Sequence, residues 1–139
     1  MKRFVLDTNI VVSGLFWDGP PRKLLAHEPA VFSRHTSAPL VEELEDVLSR
    51  TKFAARIALS PLSIRQLVEA YLQSANLVIP HPLAGIAPDP DDDVVIGTAV
   101  AANADLIVTG DGGLLSVEHY LNIRIVSVME ALNLILADR

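Results

Sequence analysis

Five short apolar runs, each halted by a turn former or an acid and separated by stretches of helical periodicity, most constrain what this chain can fold into. The first, residues 3–7 (RFVLD), stops at a carboxylate and reads as a buried strand ending at Asp7. Residues 30–37 have room for a second strand. Residues 77–80 give a third, stopped by proline, 106–109 a fourth and 123–126 a fifth.

Between these runs the pattern is helical. Thr8 and Asn9 are turn and cap formers, and 10–16 follows as a short helix. The DGPP stretch at 18–21 breaks the chain, and a helix restarts near Pro20 and runs to about residue 28. Over 40–49, Leu40, Leu44, Val47 and Leu48 share one face. Ser60 and Pro61 read as cap and first position of a helix striped by Ile64, Leu67, Val68, Tyr71, Leu72 and Ala75, ending at Asn76. Residues 81–88 read as a loop, 89–103 as a helix with an acidic start, 110–113 as a turn, and Ser127 as the cap of a last helix to about residue 136. Strands alternating with helices predict an α/β chain: a three-layer α/β/α sandwich around a mainly parallel five-stranded sheet, one domain over 1–139.

With 139 residues, half of them hydrophobic and 20% charged, the chain can bury a real core, which excludes global disorder. Seventeen acidic residues against eleven basic give a net charge of −6. That excludes coating nucleic acid through bulk positive charge, but not a nuclease whose positive charge comes from metal ions. Cysteine is absent, so disulfides, thiolate zinc sites and a cysteine nucleophile are excluded. The start MKRFVLDTN has too short an apolar stretch for a signal peptide, and no run approaches the ~20 residues of a membrane span. The expectation is a soluble cytoplasmic protein with no membrane partner.

In parallel α/β sheets, ligands sit beyond the carboxyl ends of the strands, where the strand order reverses. Asp7 and Asp111 fall at two such ends. Each alone is equally well read as a turn residue. Asp92 is a third candidate: at ~3.6 residues per turn it shares a helix face with Ile96, Ala99 and Asn103. Asp89 reads as the cap of that helix, with Pro90 at its first position, and Asp91 and Asp93 are expected to face solvent. Glu43 is a fourth, at the edge of the face of Leu40, Leu44 and Val47, while Glu42, Glu45 and Asp46 point further towards water. Four converging carboxylates repel one another and raise their own pKa values. One or two hard divalent cations, Mg²⁺ or Mn²⁺, remove that cost. Such a centre can activate water against a phosphodiester and stabilise the departing oxygen.

These residues resemble a known family. VLDTNIVVSGLF at 5–16, ELEDVLSRTKF at 43–53, DPDDDVVIGTAVAANADLIVTGD at 89–111 and the leucine pair Leu114-Leu115 are similar, in that order, to the PIN domain. More narrowly they resemble VapC-like toxins of bacterial and archaeal toxin–antitoxin pairs. The resemblance implies strand order 3-2-1-4-5, which sets strands one and four side by side. It implies a Mg²⁺- or Mn²⁺-dependent endoribonuclease leaving a 5′-phosphate and a 3′-hydroxyl, an antitoxin partner and a homodimer. By motif match its catalytic and metal-binding acids fall on Asp7, Glu43, Asp92 and Asp111. Asn9 and Thr109 match supporting polar positions, and Thr8 and Ser13 match less closely. Asp89 and Asp92 both lie in the family's acidic stretch, and the choice of Asp92 rests on its helix face. Gly112 and Gly113 depart from the family, which often carries a charged pair there.

Other assignments fit less well. A haloacid-dehalogenase-type phosphatase needs a second Asp where Asn9 stands, and a dinucleotide-binding fold needs a glycine-rich turn after the first strand. His27, His35, His81 and His119 show no metal-ligand spacing. Phe16 and Trp17 could stack a base, though packing is the preferred reading. Arg22, Lys23, Arg50 and Lys52 are read equally as RNA guides or as solvated charges. The rival of a different class is a PIN-like interaction protein that binds an antitoxin or other partner without cutting RNA. The intact acidic quartet speaks against it, and melting with and without Mn²⁺ separates the two.

Overall fold

The computed structural model describes residues 2–26 and 32–137. Its elements are β1 (Lys2–Leu6), α1 (Thr8–Phe16), α2 (Pro20–Ala26), β2 (Phe32–Thr36) and α3 (Ala38–Leu48). A 3₁₀ turn (Thr51–Phe53), α4 (Ala54–Leu59), α5 (Ile64–Gln73), β3 (Ala75–Leu77) and α6 (Pro90–Ala101) come next. The chain then forms β4 (Leu106–Val108), α7 (Gly112–Leu115), β5 (His119–Tyr120), β6 (Ile123–Val126) and α8 (Val128–Ala137).

The sheet order is β3-β2-β1-β4-β6-β5. Every pairing is parallel except β5 with β6. β1 therefore lies inside the sheet, with Leu6 beside Val108 of β4. Its side chains alternate between two cores. Phe4 and Leu6 join one with Val11, Leu44 and Tyr71; Val5 joins the other with Val95, Ile96 and Ile107. Burial on both faces explains why the inner strands read as unbroken apolar runs.

The order of the five expected strands holds, but the sheet has six strands, not five. The extra strand, β5, is two residues long and pairs back on β6 through a tight hairpin at Leu121 and Asn122, too short to show a period. β3 lies earlier than the expected 77–80. Its ladder with β2 ends where Thr36 meets Leu77, because Ser37 then turns into α3. The helix expected at Ser60 starts instead after Ser63, where Ser63 and Gln66 form a reciprocal capping box. Ser60 closes α4, which the sequence pattern did not resolve. The expected turn at 110–113 is the start of α7, with Asp111 capping it. The outer parts of the expected second helix and second strand, and His27, lie outside the described residues.

Asp93 corrects another expectation. It is buried, not solvated, and accepts backbone N–H groups from Gly85 (3.0 Å), Ile86 (3.2 Å) and Ala87 (2.7 Å). Gly85 has φ +74°, a left-handed conformation suited to glycine. Its carboxylate thus pins the 81–88 loop to the first turn of α6. The same loop touches α6 again where His81 N–H donates to the Gly97 carbonyl at 3.0 Å. A Cβ at Gly97 would overlap the His81 carbonyl oxygen, so this close approach requires glycine.

Candidate functional site

The carboxyl ends of β1 and β4 form the floor of the site. Asp7 N–H continues the ladder to Val108 C=O at 2.9 Å, which sets Asp7 beside Thr109. Asp7 is buried and caps α1, its Oδ1 accepting the Thr8 N–H at 2.8 Å. Its Oδ2 accepts the hydroxyl of Thr109, itself fully buried, at 2.7 Å. The Thr109 oxygen in turn accepts the Asp111 N–H at 3.0 Å. The one hydroxyl proton of Thr109 is therefore committed to Asp7. Asp111 caps α7 through Leu114 N–H at 2.9 Å and keeps its carboxylate exposed.

Asp92 stands in the first turn of α6, half-buried, with Asp89 as the cap through Asp91 N–H at 2.9 Å. Burial, then the charges of Asp111, Asp7 and Asp89, and a hydrogen bond with Asp111 push its carboxyl up to about 7. Two carboxyl groups share a hydrogen bond only when one holds a proton. Burial is also the main cause that raises Asp7; its bonds from Thr109 and Thr8 oppose the shift and the Asp111 charge adds to it. Glu43 on α3 is raised as well, first by desolvation and then by the charges of Asp7 and Asp91, while the Thr8 hydroxyl and the Arg50 charge oppose the shift.

The four acids singled out from the sequence thus fall within one electrostatic neighbourhood. Asp7, Asp92 and Asp111 act on one another, and Glu43 approaches from the α3 side through Asp7. Among the described residues, no three acidic or histidine side chains converge tightly enough to clasp an ion as they stand. The donor set nevertheless fits a hard divalent cation. It is all oxygen, and among the described residues none of its acids forms an ion pair with a basic side chain.

Thr109 holds Asp7 as expected. Asn9 is exposed, and among the described residues neither it nor Ser13 has a side-chain hydrogen bond to the acids. Thr8, ranked low from sequence, is 2% exposed, and its hydroxyl counteracts the rise in the Glu43 pKa. Its signal was available: the residue after a strand end, on the first turn of α1, faces the neighbouring α3. The basic candidates divide. Arg22 braces the end of α1 through the Gly14 and Leu15 carbonyls and Asp18. Arg50 pairs with Asp46 at 3.3 Å and shares with Glu43 and Asp91 a groove of about 290 Å³ floored by Leu40 and Val94. Lys52 lies 5.0 Å from the Phe53 ring centre. Phe16 and Trp17 pack against Phe53, with Arg56 over Trp17 at 4.3 Å.

The family model that matches the chain is that of the PIN domain, over residues 3–112, a span that contains all four acids. The chain belongs to the PIN domain family. Its fold is similar to that in the crystal structure of VapBC2 from Rickettsia felis bound to a DNA fragment from their promoter. The identity there is 14%, the TM-score 0.60, and the match covers 90% of this chain and 98% of that one. It is similar also to VapBC-1 from nontypeable Haemophilus influenzae (13%, TM-score 0.53, 91% and 98% covered). FitAcB from Neisseria gonorrhoeae gives 14%, TM-score 0.53 and the same coverage. A search of the curated proteins found no match.

Proposed function

We propose that this protein is a divalent-metal-dependent endoribonuclease, the toxin of a toxin–antitoxin pair. The observation that carries the reading is the cluster of Asp7, Asp92 and Asp111, with Glu43 at its edge: burial and mutual repulsion raise Asp7, Glu43 and Asp92, and among the described residues none of the four forms an ion pair with a basic side chain. Membership of the PIN domain family, whose members are generally nucleases, supports it.

Asp7, Asp92, Asp111 and Glu43 would hold Mg²⁺ or Mn²⁺, directly or through water. When bound, such a cation supplies Lewis-acid charge at a phosphodiester and eases deprotonation of an attacking water. Thr109 keeps the Asp7 carboxylate ionised and aimed by donating to it. The Thr8 hydroxyl favours the ionised form of Glu43, which at the edge of the site accepts a proton from water in this reading. The substrate is RNA. The partner is a cognate antitoxin, in keeping with the VapBC and FitAcB structures of similar fold. In this reading the toxin acts as a homodimer in the cytoplasm.

The test is Asp7→Asn. It keeps the cap geometry but removes the charge, so Mn²⁺-dependent RNA cleavage should fall roughly a thousandfold, the several kcal/mol of metal-assisted charge stabilisation expressed as a rate. Circular dichroism should remain that of the parent. Undiminished cleavage by the pure variant would sink the assignment.

A further inference from the structure

Ser37 occupies the N-cap of α3, yet its side chain caps nothing. A serine there ordinarily accepts a bond from a first-turn N–H. Its hydroxyl instead meets that of Thr98 on α6 at 2.8 Å, 61 residues away in sequence. Thr98 donates to the Val94 carbonyl at 2.8 Å, so Ser37 is the donor between them. Both side chains are completely buried.

The pair joins the helices that carry Glu43 and Asp92. α3 and α6 pass each other along one seam, where Pro39, Leu40, Glu43 and Asp46 line the same groove as Asp91 and Val94. The hydroxyl pair closes one end of this seam and the carboxylates stand at the other. The separation is about six residues on each helix, or ~9 Å at 1.5 Å per residue. Apolar contacts such as Leu40 with Val94 are non-directional and tolerate sliding. A 2.8 Å hydroxyl bond does not.

We propose that the Ser37–Thr98 pair is a positioning device, fixing the register of α3 against α6 and hence the spacing of Glu43 from Asp92. This rests on the reading that those acids hold a divalent cation. Partners that orient metal ligands typically change affinity by roughly 10–100-fold.

The chain has no cysteine, so Glu45→Cys on α3 and Ala101→Cys on α6, both at exposed positions, can carry a clean pair of spin labels. The label–label distance reads the helix register with no metal present. Thr98→Val keeps volume but loses the hydroxyl. Ser37→Ala with Thr98→Val leaves no hydroxyl stranded, and Thr98→Ser keeps the hydroxyl but loses a methyl. The distance should broaden or shift in the first two backgrounds and stay parental in the third. Without labels, Mn²⁺ affinity, read from the thermal shift, should fall about tenfold or more in the first two and hold in Thr98→Ser. An unchanged distance in the double variant overturns the positioning role. So does a Thr98→Ser variant as impaired as Thr98→Val, which would assign the effect to packing. A changed distance with unchanged Mn²⁺ affinity overturns the link to the acids. A parent protein that binds no Mn²⁺ overturns the metal reading itself, while the distances still decide the register.

Discussion

Asp7 and Asp93 are both buried carboxylates, 6% and 4% exposed, and their surroundings could hardly differ more. Asp93 has three backbone N–H donors and holds a loop against a helix. Asp7 has one N–H and one hydroxyl, and it faces the other acids of the site. A structural carboxylate is saturated with donors. A working carboxylate keeps acceptor capacity in reserve and sits among like charges, at a cost to the fold that a bound cation offsets.

The largest test of this contrast is to remove each acid in turn. Asp93→Ala strands three N–H groups, each worth ~1–3 kcal/mol when buried and unpaired, so urea unfolding should register a loss of about 3 kcal/mol or more. Asp7→Asn relieves repulsion, and in metal-free buffer near pH 8 it should stay within about 1 kcal/mol of the parent or exceed it. Equal losses would make Asp7 a structural residue too. Next in size is metal itself. At a hundredfold excess over its Kd, Mn²⁺ should stabilise the parent by ~2.7 kcal/mol. Asp92→Asn should lose most of that gain, while a stabilisation that survives in full would place the ion elsewhere.

Thr109→Val removes the hydroxyl shared by Asp7 and the Asp111 N–H. A drop of about 1 kcal/mol in calorimetry, with weaker Mn²⁺ binding, is expected. The subtlest effect is on pH. Asp92 titrates near 7 in the folded chain, against ~3.9 unfolded, so between these values the folded state binds more protons. Metal-free stability should therefore fall as pH rises from ~4 to ~7, with Asp7 and Glu43 acting in the same direction. The slope should flatten in Asp92→Asn, and an unchanged slope would show that Asp92 does not carry the proton.

The inner strands were legible because burial on both faces leaves apolar runs with sharp ends, and those ends located Asp7 and Asp111. Asp92 was legible from its helix face. Asp93 was not, because its partners are backbone N–H groups of a loop, and a backbone donor has no sequence signature. Ser63 prevailed over Ser60 because a capping box satisfies donors reciprocally, whereas Ser-Pro only permits a helix start. The Ser37–Thr98 bond was equally invisible: nothing local links residues 61 apart.

The bond from Thr109 to Asp7 spans 102 residues and depends on β1 and β4 lying side by side. During synthesis β1 emerges first, and its β2 neighbour follows soon after, but the β4 flank stays open until residues 106–111 have left the ribosome. In the proposed reading, a nascent chain is thus harmless to the RNA around it. In that reading the cutting centre comes into being only once β4 has docked beside β1, and chains that have passed this point are the first ones that need restraint.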